Sequence, residues 1–134
     1  MYSLEELREF FKDDLFATKM LGARIIEAHD DYAKCSFEIN ENHQNAKGFL
    51  MGGATFTLAD FTFAVATNQH EEYNTLSISA NISFMRVTNG KTLYAEAIKL
   101  RNGKTTCFYD VNVYDDLGVM IAKVNICGTH ILKK

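Results

Sequence analysis

The sequence predicts an α+β fold: a curled antiparallel β-sheet wrapped around one long central helix, with a short helix at the N-terminus. Three observations carry this. The stretch from Gly52 to Thr67 has apolar residues on every side, which marks a helix buried all round rather than laid on a surface. Segments on either side alternate apolar and polar residues with the period of two of half-buried strands. Later segments are joined mainly by tight turns, which exclude parallel crossovers there. Sheet and helix then bury each other's apolar faces.

The elements follow in order. Ser3-Leu4-Glu5-Glu6 has capping-box spacing, a hydroxyl at the helix start and a carboxylate three residues on. Leu4, Leu7, Phe10, Phe11 and Leu15 recur at helical spacing, predicting a helix that ends near Phe16. Two strands come next, Met20 to Ala28 and Tyr32 to Asn40, with Asp30-Asp31 as the turn between them. Glu41 to Lys47 is a polar loop, and Gly52-Gly53 opens the central helix. Beyond it, Leu76, Ile78, Ala80, Ile82 and Phe84 alternate with Ser77, Ser79, Asn81 and Ser83. A strand over Lys91 to Leu100 is reached through Asn89-Gly90, and Arg101-Asn102-Gly103-Lys104 is a strong hairpin turn. Cys107, Tyr109, Val111 and Val113 form one face of the next strand. Asp115-Asp116-Leu117-Gly118 turns again, and Met120, Ala122, Val124 and Ile126 mark the last strand.

Composition bounds the function. With 134 residues and no proline, the chain has a single domain's length and no proline-rich linker, so residues 1–134 are expected to form one domain. The net charge is −3, and no run of like charge exceeds a pair such as Asp13-Asp14 or Lys133-Lys134. A nucleic-acid surface would need a clustered basic face. Cys35, Cys107 and Cys127 are odd in number and lack C-x-x-C spacing, which argues against a disulfide framework or a zinc site. No stretch reads as a membrane span or a signal core. A soluble, cytoplasmic protein is expected.

Asp60 is the informative residue, the one charged side chain between Gly48 and Gln69. On a helix it shares a face with Phe56, Thr57, Phe63, Ala64 and Thr67. A carboxylate there must be solvated by a cleft, hydrogen-bonded or protonated. One reading is an acid bonded to a nearby hydroxyl for structure alone; the other is chemistry, since such groups cluster at functional sites. Gly52-Gly53 bears on the choice. A helix N-terminus presents free amide donors, and glycine lets a ligand carbonyl approach them, as in an oxyanion hole. Gly-Gly alone also fits a plain turn. Asp60 lies about two turns further along the helix, too far to reach the same carbonyl as Gly53. It would instead face a neighbouring subunit's helix end.

The segment Asn45-Ala46-Lys47-Gly48-Phe49-Leu50-Met51-Gly52-Gly53, followed by Leu58-Ala59-Asp60, resembles the signature of the PaaI-type hotdog thioesterases, N-x-x-G-x-x-H-G-G before a helix carrying L-A-D. The likeness runs from about Met20 to Ile131. It implies a hotdog fold, pairing into dimers with a continuous sheet, commonly doubled to homotetramers, with active sites between subunits. It implies hydrolysis of acyl-CoA or aryl-CoA thioesters, coenzyme A entering as part of the substrate, with no metal and no separate cofactor. Mapped onto this chain, Asp60 is the nucleophile or the base for water. Gly53 offers an amide to the thioester oxygen, Asn45 positions water or carbonyl, and Ser77 stands where some relatives use a hydroxyl to position water. Gly48, Met51 and Gly52 complete the substrate-binding segment. Arg86 and Lys104, with Arg101 beside them, are candidates for the coenzyme A phosphates.

Two departures stand out. Met51 occupies the usual histidine position, and methionine offers no useful donor to a carbonyl oxygen. Backbone amides would still supply most of the oxyanion stabilisation, about 3–4 kcal/mol for one such donor. Val87 follows Arg86 where relatives often have proline. Two rival readings follow from Met51: an acyl-CoA-binding hotdog that has lost catalysis, and, ranked last because it needs a histidine near the helix start, a dehydratase or hydratase. His43 in the polar loop is expected to be solvated. Cys35 and Cys107 are expected to be core thiols.

Overall fold

The computed structural model describes residues 1–133; Lys134 of the Lys133-Lys134 pair lies outside them. Helix α1 spans Leu4–Phe11 and is capped as the sequence predicts, Ser3 and Glu6 bonding reciprocally. It ends at Phe11, short of the expected Phe16. The chain instead turns at Asp13-Asp14 into a π-helix, Phe16–Leu21, which ends at Gly22. The Thr18 hydroxyl donates to the carbonyls of Lys12 and Asp14 and so satisfies the broken helix end. Ala17 and Leu21 turn inward, while Phe16 and Met20 stay exposed. The first strand therefore starts at Arg24, not Met20.

Six strands follow: β1 (Arg24–His29), β2 (Tyr32–Glu38), β3 (Tyr73–Phe84), β4 (Thr92–Asn102), β5 (Thr106–Asp115) and β6 (Met120–Leu132). They form one antiparallel sheet in the order β1-β2-β4-β5-β6-β3. Asp30 and Asp31 both have positive φ, as the tight β1–β2 turn requires. Helix α2, Gly52–Thr67, lies in the curl of the sheet and touches all six strands. Leu58, Phe61, Phe63 and Val65 from the helix meet Phe37, Leu93, Val111 and Val124 from the sheet in one apolar core. Cys35 and Cys107 are buried in it as expected, and burial raises their thiols to about 12 and about 11.

Strand β3 does not pair with β4, although the two are consecutive. Residues 85–91 instead cross the end of the sheet and place β3 beside β6. The crossing is held by side chains of the β5–β6 turn. Asp115 accepts from the Thr88 hydroxyl, and Asp116 accepts from the backbone of Lys91 and Thr92. The other edge of β3 has no partner strand among the described residues, and Leu76 and Ile78 are 55% and 58% exposed on it.

The facing of β3 is the second difference from sequence. Simple alternation puts Leu76, Ile78 and Ala80 on one face and the serines on the other. A bulge at Ile78 shifts the register, so that Ser77 pairs with Gly128 and Ser79 with Cys127. Thr75 and Ser77 face the helix before the bulge, and Ala80 and Ile82 share the core-facing side of β6 after it. The inward set changes from odd to even numbers at one residue.

Candidate active site

Two regions of α2 carry the candidate chemistry. The first is its N-terminus. The loop before it folds on Asn45, whose Oδ1 accepts from the amides of Lys47 and Phe49 at 3.0 and 3.1 Å. Gly48 closes this loop at φ +83°, a left-handed conformation that costs glycine nothing. The Met51 amide donates to the His43 carbonyl at 2.8 Å and fixes where the helix begins. Gly52 packs against Phe84 so closely that a Cβ would sit 3.0 Å from its ring, while the space beside Gly53 is open. First-turn amides have no helical carbonyl to bond. Asn45, Gly52, Phe84 and Arg86 line one cleft of about 490 Å³ here.

The second region lies mid-helix. Gly53, Thr57, Asp60 and Ala64 are spaced on one stripe of α2, and each keeps some exposure, whereas the opposite face is sealed in the core. Asp60 opens into a cleft of about 300 Å³ lined by Thr57, Phe61 and Ala64 of the helix and by Asp14, Leu15 and Phe16 from the α1–π-helix segment. The Ser77 hydroxyl donates to Asp60 Oδ1 at 3.5 Å, aimed there by the β3 bulge. Burial holds the Asp60 carboxyl above its ordinary pKa; the Ser77 hydrogen bond pulls it back, and the Asp14 carboxylate nearby pushes it further up. Burial, with Asp13 beside it, also raises Asp14.

The structure thus brings Ser77 to Asp60, and it brings Asn45, Gly48, Met51, Gly52, Gly53 and Arg86 to or beside the helix end. Those two groups are about 10 Å apart along α2, seven residues at 1.5 Å each. Lys104 sits on the β4–β5 turn, away from both clefts. Phe63, placed by helical spacing on the Asp60 face, is 1% exposed and packs edge-on to Tyr109. His43 is not solvated. It is 6% exposed, its ring stands edge-on to Phe37, and burial lowers its pKa. The 3₁₀ turn Glu41–His43 folds it inward, with Nδ1 accepting from the Asn40 amide. Sequence reasoning missed Asp14, Leu15 and Phe16 as part of the Asp60 cleft, because their placement depends on the π-helix.

The fold agrees with known proteins. The model of the thioesterase superfamily matches residues 47–122, from the loop before α2 into β6. The chain belongs to that superfamily and is a thioester hydrolase. A putative esterase of Archaeoglobus fulgidus is 34% identical over 89% of this chain and 77% of its own length. The acyl-coenzyme A thioesterase PaaI of Escherichia coli is 31% identical over 71% of this chain and 68% of its own. The solved structure of the E. coli PaaI protein superposes with a TM-score of 0.82 and 25% identity, covering 96% of each chain. A Haemophilus influenzae thioesterase shares the fold at a TM-score of 0.89 and 16% identity, over 98% of this chain and 92% of that one. Within the superfamily this is a PaaI-type hotdog thioesterase.

Proposed function

We propose that this protein hydrolyses acyl-CoA or aryl-CoA thioesters at sites shared between two copies of the chain, with Asp60 of one copy acting on a carbonyl held at the glycine end of the other's α2. The observation that carries the reading is Asp60 itself, a carboxylate on the half-open stripe of an otherwise buried helix, facing a cleft. A protomer that kept this stripe and the β3 edge bare would expose a long apolar strand edge, a feature that proteins normally cover or charge. Pairing of β3 with a second β3 covers both at once. A further doubling to a homotetramer belongs to the same reading.

The chemistry follows from the groups present. The thioester oxygen accepts hydrogen bonds from the free amides at Gly52 and Gly53, and Asn45 helps to orient it or the water. Asp60, positioned by Ser77, takes a proton from water as the oxygen adds to the carbonyl carbon. The tetrahedral oxyanion collapses, the C–S bond breaks, and the proton held by Asp60 goes to the departing thiolate. Direct attack by Asp60 is the variant of this path, giving an anhydride that water then opens. Arg86, in the cleft at the helix end, and Lys104, on its exposed turn, serve the coenzyme A phosphates. No metal or separate cofactor is needed, and neither nucleic acid nor membrane is a partner. None of the helices among the described residues is long and apolar enough to cross a membrane. The three unpaired cysteines accord with a cytoplasmic, reducing setting.

The test is thiol release from a panel of acyl- and aryl-CoAs. Asp60→Asn is expected to lower turnover by about 10²–10⁴-fold, the range for a lost acid–base group. Equal turnover by the two proteins would remove Asp60 from the mechanism.

A further inference from the structure

Phe61 stands between two hollows. On one side is the Asp60 cleft, about 300 Å³. On the other is a hollow of about 610 Å³ under α1, floored by Phe11, Ala23, Ile25 and Ile26 and rimmed by Arg8, Lys12 and Arg24. The Phe61 ring lines both, is 3% exposed, and stands edge-on to Phe11 at 5.7 Å. Consecutive residues of the π-helix complete the partition, Ala17 lining the smaller hollow and Thr18 the larger. The larger hollow has no part in the site described above. Its apolar floor and basic rim suit the tail of an amphiphile, and its volume is about twice that of the catalytic cleft.

We propose that Phe61 sets the length of acyl chain the enzyme accepts. The inference rests on the thioesterase reading, in which the carbonyl sits at Asp60 and the acyl group runs along the cleft wall toward Phe61 and Ala64. A short chain or a single ring ends against the Phe61 ring. The smaller cleft is at the low end of ligand-pocket volumes, about 300–1,000 Å³, so a long chain needs the second hollow. With the ring in place it is shut out. Without the ring the two hollows join.

The experiment compares kcat/KM for butyryl-, hexanoyl-, octanoyl-, dodecanoyl- and palmitoyl-CoA among the wild type, Phe61→Ala, Phe61→Leu and Phe11→Ala. Phe11 lines the larger hollow alone, so its truncation loosens the same packing without opening the partition. The wild type is expected to fall off beyond octanoyl-CoA. Phe61→Ala should raise the palmitoyl-to-hexanoyl ratio by at least about tenfold, the low end of what one methylene's fit is worth in an apolar pocket. Phe11→Ala should leave that ratio unchanged. Circular dichroism and melting identify which variants are folded, and Phe61→Leu carries the comparison if Phe61→Ala is not. An unchanged ratio in a folded Phe61 variant, or an equal shift in Phe11→Ala, overturns the proposal. If the wild type cleaves none of these esters, the thioesterase reading fails separately. The same ratios are then read as dissociation constants of the matching S-alkyl-CoA thioethers, and absence of any binding overturns the chain-length role too.

Discussion

The two ends of the candidate site contrast within one helix. At the α2 N-terminus the site is made of backbone: free amides, a tight glycine contact with Phe84, and a loop knotted by Asn45. Mid-helix it is made of side chains: Asp60, Ser77 and the apolar walls around them. The first region is fixed by local geometry and needs almost no side-chain chemistry. The second depends on tertiary placement and on a charge held where solvation is poor. About 10 Å of helix separates them, so neither region of a single copy completes the other. The division teaches why the proposed site draws on two copies of the chain: one copy holds both parts but keeps them apart.

That contrast can be broken directly. Gly52→Val places a side chain against Phe84 at the amide end, and Asp60→Asn removes the charge. Each variant alone is expected to be nearly inactive. Subunit exchange between the two should restore activity to about a quarter of wild type, because half the dimers in an equal mixture are mixed and each mixed dimer holds one intact shared site. Sites contained within one copy would give no recovery, since each chain then carries one lesion in its own site.

A smaller effect is expected from Met51→His at the helix end. Met51 is exposed beside the first-turn amides, so an added donor there should raise kcat by about tenfold, below the full worth of an oxyanion-hole donor. No change would show that the backbone amides already suffice.

The smallest effects concern pH. In the proposed mechanism Asp60 works ionised, and burial raises its pKa, so the acid limb of kcat/KM should lie above the ordinary pKa of an aspartate. Asp14→Asn removes a like charge and should move the limb to lower pH. Ser77→Ala removes a hydrogen bond to the carboxylate and should move it higher. Each shift is expected to stay below about one pH unit, given Asp14's exposure and the long Ser77 bond. The stability sign is opposite to that of a paired acid. With the folded pKa raised, Asp60's favourable contribution is present below its unfolded pKa and is lost as pH rises through the folded one. Asp60→Asn should therefore melt no lower than wild type at neutral pH.

Much of this was legible in the sequence. The capping box at Ser3, the Asp30-Asp31 turn and the apolar α2 are local signals, and each landed where it was read; the odd charge at Asp60 lines a cleft. What escaped was non-local. The π-helix replaces an i+4 pattern by a wider turn, so Leu15 and Phe16 read as helix face when they roof the Asp60 cleft. His43 read as loop polarity because its burial depends on Phe37, from a strand already passed. The pairing of β3 with β6 depends on contacts some fifty residues away in sequence, such as Ser77 with Gly128.

The extra residue at Ile78 has an evolutionary corollary. Loss of that one codon would leave β3 and β6 able to zip together without interruption, and a strand ladder would look healthier for it. The hydroxyl of Ser77 and the apolar residues after it could no longer both look inward, so either the carboxylate or the core would lose its neighbour. Length variation should therefore be tolerated in the crossing over residues 85–91 and purged from the stretch between Thr75 and Ala80, even though that stretch lies on an open edge.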